Sequence, residues 1–166
     1  MSQSENKVME QNTGSSAMPK VEAGPAMPRA LLKAFTRLNV WVYRASSGRL
    51  MNKLAGDPIC LVNMTGAKSG QPRTIPLMYV PYNAGVLLVA SQGGAPKHPV
   101  WYQNLVKYPD IVVEQGGRKL ALTARVLEGE EREAAWPVCV EHYADYADYQ
   151  ERTNRLIPVF YCEPKQ

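Results

Sequence analysis

The chain has 166 residues, 45% of them hydrophobic and 20% charged, which is enough apolar material for one packed core and too little for a membrane protein. Its apolar runs, such as 85–90, are strand-sized, and 13 prolines with 12 glycines are ordinary, so collagen, coiled coil and a transmembrane helix are excluded. The net charge of +4 conceals an asymmetry: residues 29–125 hold 13 Lys and Arg against Asp57, Asp110 and Glu114, a balance of +10, while residues 126–166 hold 4 against 9, a balance of −5. A basic middle wants an anionic partner, whether nucleic acid, an anionic membrane surface or a phosphate- or carboxylate-bearing cofactor.

Residues 1–28, rich in Ser, Asn, Gln, Gly and Pro, show no hydrophobic period and lack the apolar segment of a secretory signal, which predicts a disordered tail before a single domain over 29–166. From Arg29 the pattern turns helical. Leu31, Phe35, Leu38 and Val42 recur at helical spacing with Arg29, Lys33, Arg37 and Arg44 between them, an amphipathic basic helix over 29–44 that suits either a cover for the domain or a peripheral contact with an anionic membrane. Beyond Asp57-Pro58, short apolar or alternating runs at 59–64, 73–80, 86–91, 111–115 and 119–127 read as strands, with a sixth at 156–162. Turn residues separate them, and Gly116-Gly117 reads as a tight hairpin. Helices are expected at 98–106 and 130–149, the latter carrying Glu130, Glu131 and Glu133 in its first turn, where the positive end of the helix dipole favours them. Short antiparallel strands with a few helices predict a mainly β fold, a small barrel rather than a parallel α/β sheet.

Several familiar chemistries fail on spacing. Gly66-Ala67-Lys68-Ser69 lacks the glycines of a phosphate-binding P-loop, no GxGxxG is present, and Ser91 lacks the preceding glycine of a nucleophile elbow. Two histidines, His98 and His142, and three widely spaced cysteines, Cys60, Cys139 and Cys162, do not make a metal site; the cysteines read as buried thiols in a reducing, cytoplasmic compartment. No aromatic RNA motif or recognition helix accompanies the basic residues, so nucleic acid is not the expected partner. What remains is a set of loops suited to an anionic planar ligand. The turn 65–73 brings two glycines, two hydroxyls, Lys68 and Arg73 together, so that backbone donors and cationic tips converge on phosphate or carboxylate oxygens. Ser91-Gln92-Gly93-Gly94 leaves a strand where a hydroxyl and unhindered backbone could approach a flat ring. Val100-Trp101-Tyr102-Gln103-Asn104 adds two aromatics, and Tyr143, Tyr146 and Tyr149 fall on one predicted helical stripe.

These residues carry a resemblance. Thr65 through Arg73, Pro76-Leu77, Ala90-Ser91-Gln92-Gly93-Gly94, Pro99 through Leu105, the three tyrosines and the ending Ile157-Pro158 to Cys162-Glu163-Pro164 together resemble the deazaflavin-dependent nitroreductase and quinone reductase family of actinobacteria. The resemblance implies a split β-barrel of the flavin-reductase type that binds coenzyme F420, a deazaflavin whose tail carries a phosphate and several glutamates. By matching position, it places Ala67, Lys68, Ser69, Arg73, Thr74, Ile75, Pro76, Leu77 and Met78 at the cofactor. Val89, Ala90, Ser91, Gln92, Val100, Trp101, Tyr102, Gln103, Asn104 and Tyr146 complete that set, while Ser91, Tyr143, Tyr146 and Tyr149 face the substrate. It further implies hydride transfer from reduced F420 to a quinone or nitroaromatic acceptor with the tyrosines assisting protonation, the alternative being a split-barrel carrier without turnover. Met78 and Gln92 depart from the pattern, standing where the best-known members carry a tyrosine and a lysine.

Overall fold

Ala45, Lys53–Leu54 and residues 57–165 are described by the computed structural model of the chain. The tail expected at 1–28 and the basic helix expected at 29–44 lie outside the described residues. The apolar and alternating runs form eight strands: β1 (Lys53–Leu54), β2 (Asp57–Thr65), β3 (Pro72–Met78), β4 (Val80–Tyr82), β5 (Gly85–Val89), β6 (Asp110–Gln115), β7 (Arg118–Val126) and β8 (Val159–Pro164). Among residues 57–165 three helices accompany them: α1 (Val100–Lys107), α2 (Gly129–His142) and α3 (Asp145–Glu151), with one 3-10 turn at Gln92–Gly94.

All pairings are antiparallel, and the order across the sheet is β1-β2-β6-β7-β8-β5-β4, with β3 paired to β2. This order fixes the shape. β3 lies beyond β2 at one end and β4 beyond β5 at the other, yet only Tyr79 separates them in the chain. With one residue between them, Met78 and Val80 stand at most about 7 Å apart. The sheet therefore curls until its two ends meet, giving a barrel closed covalently at Tyr79 and open where β3 and β5 face each other without a ladder between them. Pro72 and Pro76 suit β3 to that edge, because a proline has no N–H to offer a further strand. The expected small split barrel is the fold observed.

β5 is buried along its whole length because it separates two cores. Val86 and Leu88 point inward with Cys60, Val62, Val113, Leu122 and Phe160. Leu87 and Val89 point outward onto Ala135, Cys139, Tyr146 and Ile157, the cover made by α2, α3 and the approach to β8. All three cysteines are free and buried.

The structure departs from the expected elements in three places. The strand expected at 73–80 is two strands, because the amide of Tyr79 closes the last rung with the carbonyl of Pro58 at 2.9 Å and the chain then leaves for β5. The strand expected from 156 begins at Val159, since the backbone of Ile157 is held by side chains of the helical cover and Pro158 lacks an N–H. The single helix expected over 130–149 breaks: Tyr143 adopts extended backbone (φ −151°, ψ 97°) after α2, and its carbonyl accepts the amide of Tyr146 at 3.1 Å to start α3. The one-stripe reading of the three tyrosines is thereby corrected, for Tyr143 sits at the break while Tyr146 and Tyr149 ride on α3.

At Gly85 a Cβ would collide with the carbonyl oxygen of Cys162, so β5 and β8 pack too closely there for any side chain. Gly85→Ala should lower stability by about 1–3 kcal/mol, the usual cost of overpacking, read as a shift of the urea midpoint at unchanged slope.

Candidate active site

The site is built at the opening of the barrel. A cleft of about 300 Å³ is bordered by Pro76, Leu77 and Met78 at the end of β3, by Val89, Ser91 and Gln92 where β5 runs out, by Pro99 and Trp101 at the start of α1, and by Tyr143, Tyr146 and Tyr149. Ten sequence-predicted residues are thus brought together, and Pro99 joins them. One wall is apolar; the other is phenolic.

Each tyrosine has a different environment. Tyr146 is 4% exposed and packs in the outer core against Tyr143 (ring centroids 5.1 Å apart), Tyr149 (6.3 Å) and Trp136 (6.3 Å). No hydrogen bond engages its hydroxyl among the described residues, and no buried polar side-chain atom lacks a partner there, so the Tyr146 oxygen borders accessible space, which is the cleft. Burial holds its pKa above the ordinary 10, keeping the hydrogen on the phenol. Tyr143 donates to Asp145 Oδ2 at 2.9 Å, and its oxygen lies 3.3 Å from that of Tyr149.

The loop after β5 is strained. Gln92 takes φ of 48°, a left-handed conformation that costs a residue with a Cβ about 1–3 kcal/mol, and Gly93 and Gly94 continue in it. Gly94 also comes so near α3 that a Cβ would lie 2.6 Å from the carbonyl oxygen of Tyr149. Arg155 holds this loop in place. Its guanidinium donates to the carbonyls of Ala90 (3.1 Å), Ser91 (2.7 Å) and Ala95 (2.8 Å), and Nη1 meets His98 Nδ1 at 3.2 Å. The carbonyl of Arg155 in turn accepts from Gln150 on α3, whose amide oxygen accepts from the backbone of Ile157 and from buried Arg132. Arg132 donates to the carbonyl of Ile157 as well and lies over the Trp136 ring at 4.6 Å. Arg132, Gln150, Arg155 and His98 were not legible as site-building residues, because in sequence they are ordinary polar positions; the one signal is Arg155 standing just before the final apolar run.

The other predicted binders lie outside this cleft. Lys68, Ser69 and Arg73 are exposed on the β2–β3 turn, where Arg73 Nη2 donates to Ser69 Oγ at 3.3 Å. Ala67 straps that turn to α1, its amide donating to buried Asn104 at 2.8 Å and its carbonyl accepting from Lys107 at 2.9 Å. Thr74 spends its hydroxyl on Asn63 at 2.7 Å, Ile75 and Ala90 belong to the inner core, and Tyr102 stacks on His98 at 4.5 Å and packs on Phe160. Val100 and Gln103 are exposed on α1. Among the described residues no cluster of His, Cys, Asp and Glu is arranged to hold a metal ion.

Comparison with known proteins places this geometry. Residues 35–164 match the family model for F420H(2)-dependent quinone reductase. The chain belongs to that family. An F420H(2)-dependent quinone reductase of Mycobacterium tuberculosis is 39% identical over 127 residues, 74% of this chain and 85% of that protein. A solved F420-H2 dependent reductase superposes with a TM-score of 0.61 at 53% identity, over 64% of this chain and 94% of that one. A heme binding protein from Mycobacterium smegmatis, at 16% identity and a TM-score of 0.53 over 67% of this chain and 48% of that one, shares the fold alone.

The clamp can be read through His98. Desolvation, and secondly the charge of Arg155, hold its pKa below the ordinary 6.5. An NMR titration of the His98 ring should therefore show a midpoint below 6.5 in the native chain, and Arg155→Met should move it upward by removing a repelling charge.

Proposed function

We propose that the chain is an F420H2-dependent reductase whose acceptor, a quinone or a nitroaromatic compound, is reduced in the cleft between β3 and the end of β5. The observation that supports this most is a cleft with an apolar wall on one side and, on the other, a phenol whose hydroxyl no neighbour claims. The residues fit the cofactor. Leu77, Met78 and Trp101 form the kind of flat apolar surface that takes a ring system, and the cleft has the volume of a small ligand pocket. Lys68 and Arg73, exposed on a turn strapped to α1, are free to meet phosphate and carboxylate groups of a tail. Reduced coenzyme F420, when bound, supplies a hydride.

The protein's own contribution is alignment and a proton. A quinone that gains a hydride needs one proton to become a hydroquinone, and negative charge gathers on its oxygen until the proton arrives. Tyr146 is placed to hydrogen-bond that oxygen and hold a proton against it, and its raised pKa keeps the donor protonated at neutral pH. Ser91 orients the ring or the acceptor with its hydroxyl, on backbone fixed by Arg155. Val89, Pro99 and the phenol rings limit water. The segment 29–44 supplies a peripheral contact with an anionic membrane, where lipophilic quinones reside.

Tyr146→Phe keeps the ring and the packing but removes the donor. Single-turnover reoxidation of bound reduced cofactor by saturating quinone should fall about 100-fold, roughly 2.7 kcal/mol, with cofactor affinity nearly unchanged. Equal rates in both proteins would remove the proton-donor role; failure of either to outpace free cofactor would make the chain a carrier. Arg73→Ala should weaken equilibrium binding of oxidised F420, most strongly at low salt, where an exposed cation is least screened. Full-length protein should sediment with anionic vesicles and much less with neutral ones, and loss of residues 29–44 should abolish the difference.

A further inference from the structure

Tyr143 and Tyr149 are not equivalent to Tyr146. An ionised carboxylate only accepts, so in the 2.9 Å contact with Asp145 the donor is Tyr143. A phenol has a single hydrogen, so in the 3.3 Å contact between the oxygens of Tyr143 and Tyr149 the donor is Tyr149. Two of the three phenolic hydrogens thus run one way, from Tyr149 through Tyr143 to exposed Asp145, and the Tyr146 hydrogen is left for the cleft.

We propose that Asp145 is a positioning residue that sets the direction of this hydroxyl chain and thereby decides whether Tyr149 joins Tyr146 as a donor to the acceptor. With the carboxylate ionised, Tyr146 is the donor. With it protonated the chain inverts: Asp145 donates to Tyr143, Tyr143 to Tyr149, and the Tyr149 hydrogen turns to the cleft. Only O–H bonds are exchanged, and the entering proton comes from solvent at Asp145. The pKa of Tyr143 is held above the ordinary 10 by its hydrogen bonds, first with Tyr149 and then with Asp145. The other titratable groups nearby do not compete for these hydrogens. Just past α3, Arg152 lies over the Tyr149 ring at 5.4 Å, and Asp148 is on the first turn of that helix. On α2, Cys139 is buried with its thiol pushed up to about 12, and His142 Nδ1 lies 3.0 Å from the carbonyl of Val138. β3, β5 and α1 bring no titratable side chain to the cleft.

The proposal rests on Tyr146 being the donor, and one variant series separates the two ideas. In Tyr146→Phe, the remaining chain points away from the acceptor. Adding Asp145→Asn, whose amide can donate to Tyr143, should raise the single-turnover rate of Tyr146→Phe roughly tenfold, and adding Tyr149→Phe as well should cancel the gain. A purely structural role for Asp145 gives a further loss or no change in the double variant, which would overturn the proposal; a Tyr146→Phe rate equal to that of the native chain would overturn the donor reading beneath it. A readout independent of turnover is the ultraviolet titration of the tyrosines without cofactor. Asp145→Asn should shift one phenol to lower pH, identified as Tyr143 by its loss in Tyr143→Phe, and an unshifted titration would equally overturn the proposal.

Discussion

The step from β3 to β4 across Tyr79 is the constraint on which the rest of this structure depends. Two strands at opposite ends of one sheet are joined by a single residue, so the sheet has no option but to curl and meet itself. Because β4 is only three residues long and pairs with Gly85–Leu87, the remainder of β5 faces β3 without a ladder. That gap leaves the end of β3 and the end of β5 to border the cleft. Every wall of the cleft begins at it, which is why residues as far apart in the chain as Pro76, Ser91, Trp101 and Tyr146 converge.

Behind the cleft stand two arginines that form no salt bridge among the described residues. Arg132 is 8% exposed and Arg155 half-buried; each gives its hydrogens to carbonyls instead of to a carboxylate. A carbonyl oxygen has two lone pairs, so one planar guanidinium bonds several turn carbonyls, that of Ser91 included although it also accepts from the amide of Gly94, and fixes their relative positions. Gln150 links the two arginines, so that α2, α3, the approach to β8 and the Ser91 loop form one polar frame behind the phenols. The strain at Gln92 is sustained by that frame.

Much of this was legible in the sequence, and the reasons are local. Short apolar or alternating runs and glycine turns marked six of the eight strands, and Gly116-Gly117 closes the β6–β7 hairpin with both φ values positive, as its two-residue spacing predicts. The very short β1 and β4 were not visible, since two or three residues carry no periodicity. The break between α2 and α3 was also hidden: Tyr143-Ala144 contains neither Gly nor Pro, and tertiary packing of Tyr146 into the outer core outweighs local helical preference. The cleft residues were reached through their motif, whereas Arg155 was missed because only its folded position gives it meaning. The cysteines, two of them with thiols pushed up to about 12 by burial, behave as small apolar residues of the core.

The proposed cofactor and acceptor site is the seam of the barrel. A crystal structure of the chain with oxidised coenzyme F420 tests it most directly. The ring should lie in the cleft against Leu77, Met78 and Trp101 with the Tyr146 oxygen on the acceptor side, and the tail should run toward Lys68 and Arg73. A ring bound elsewhere, for instance in the second hollow between Asn63, Asp110 and Lys165, would contradict it.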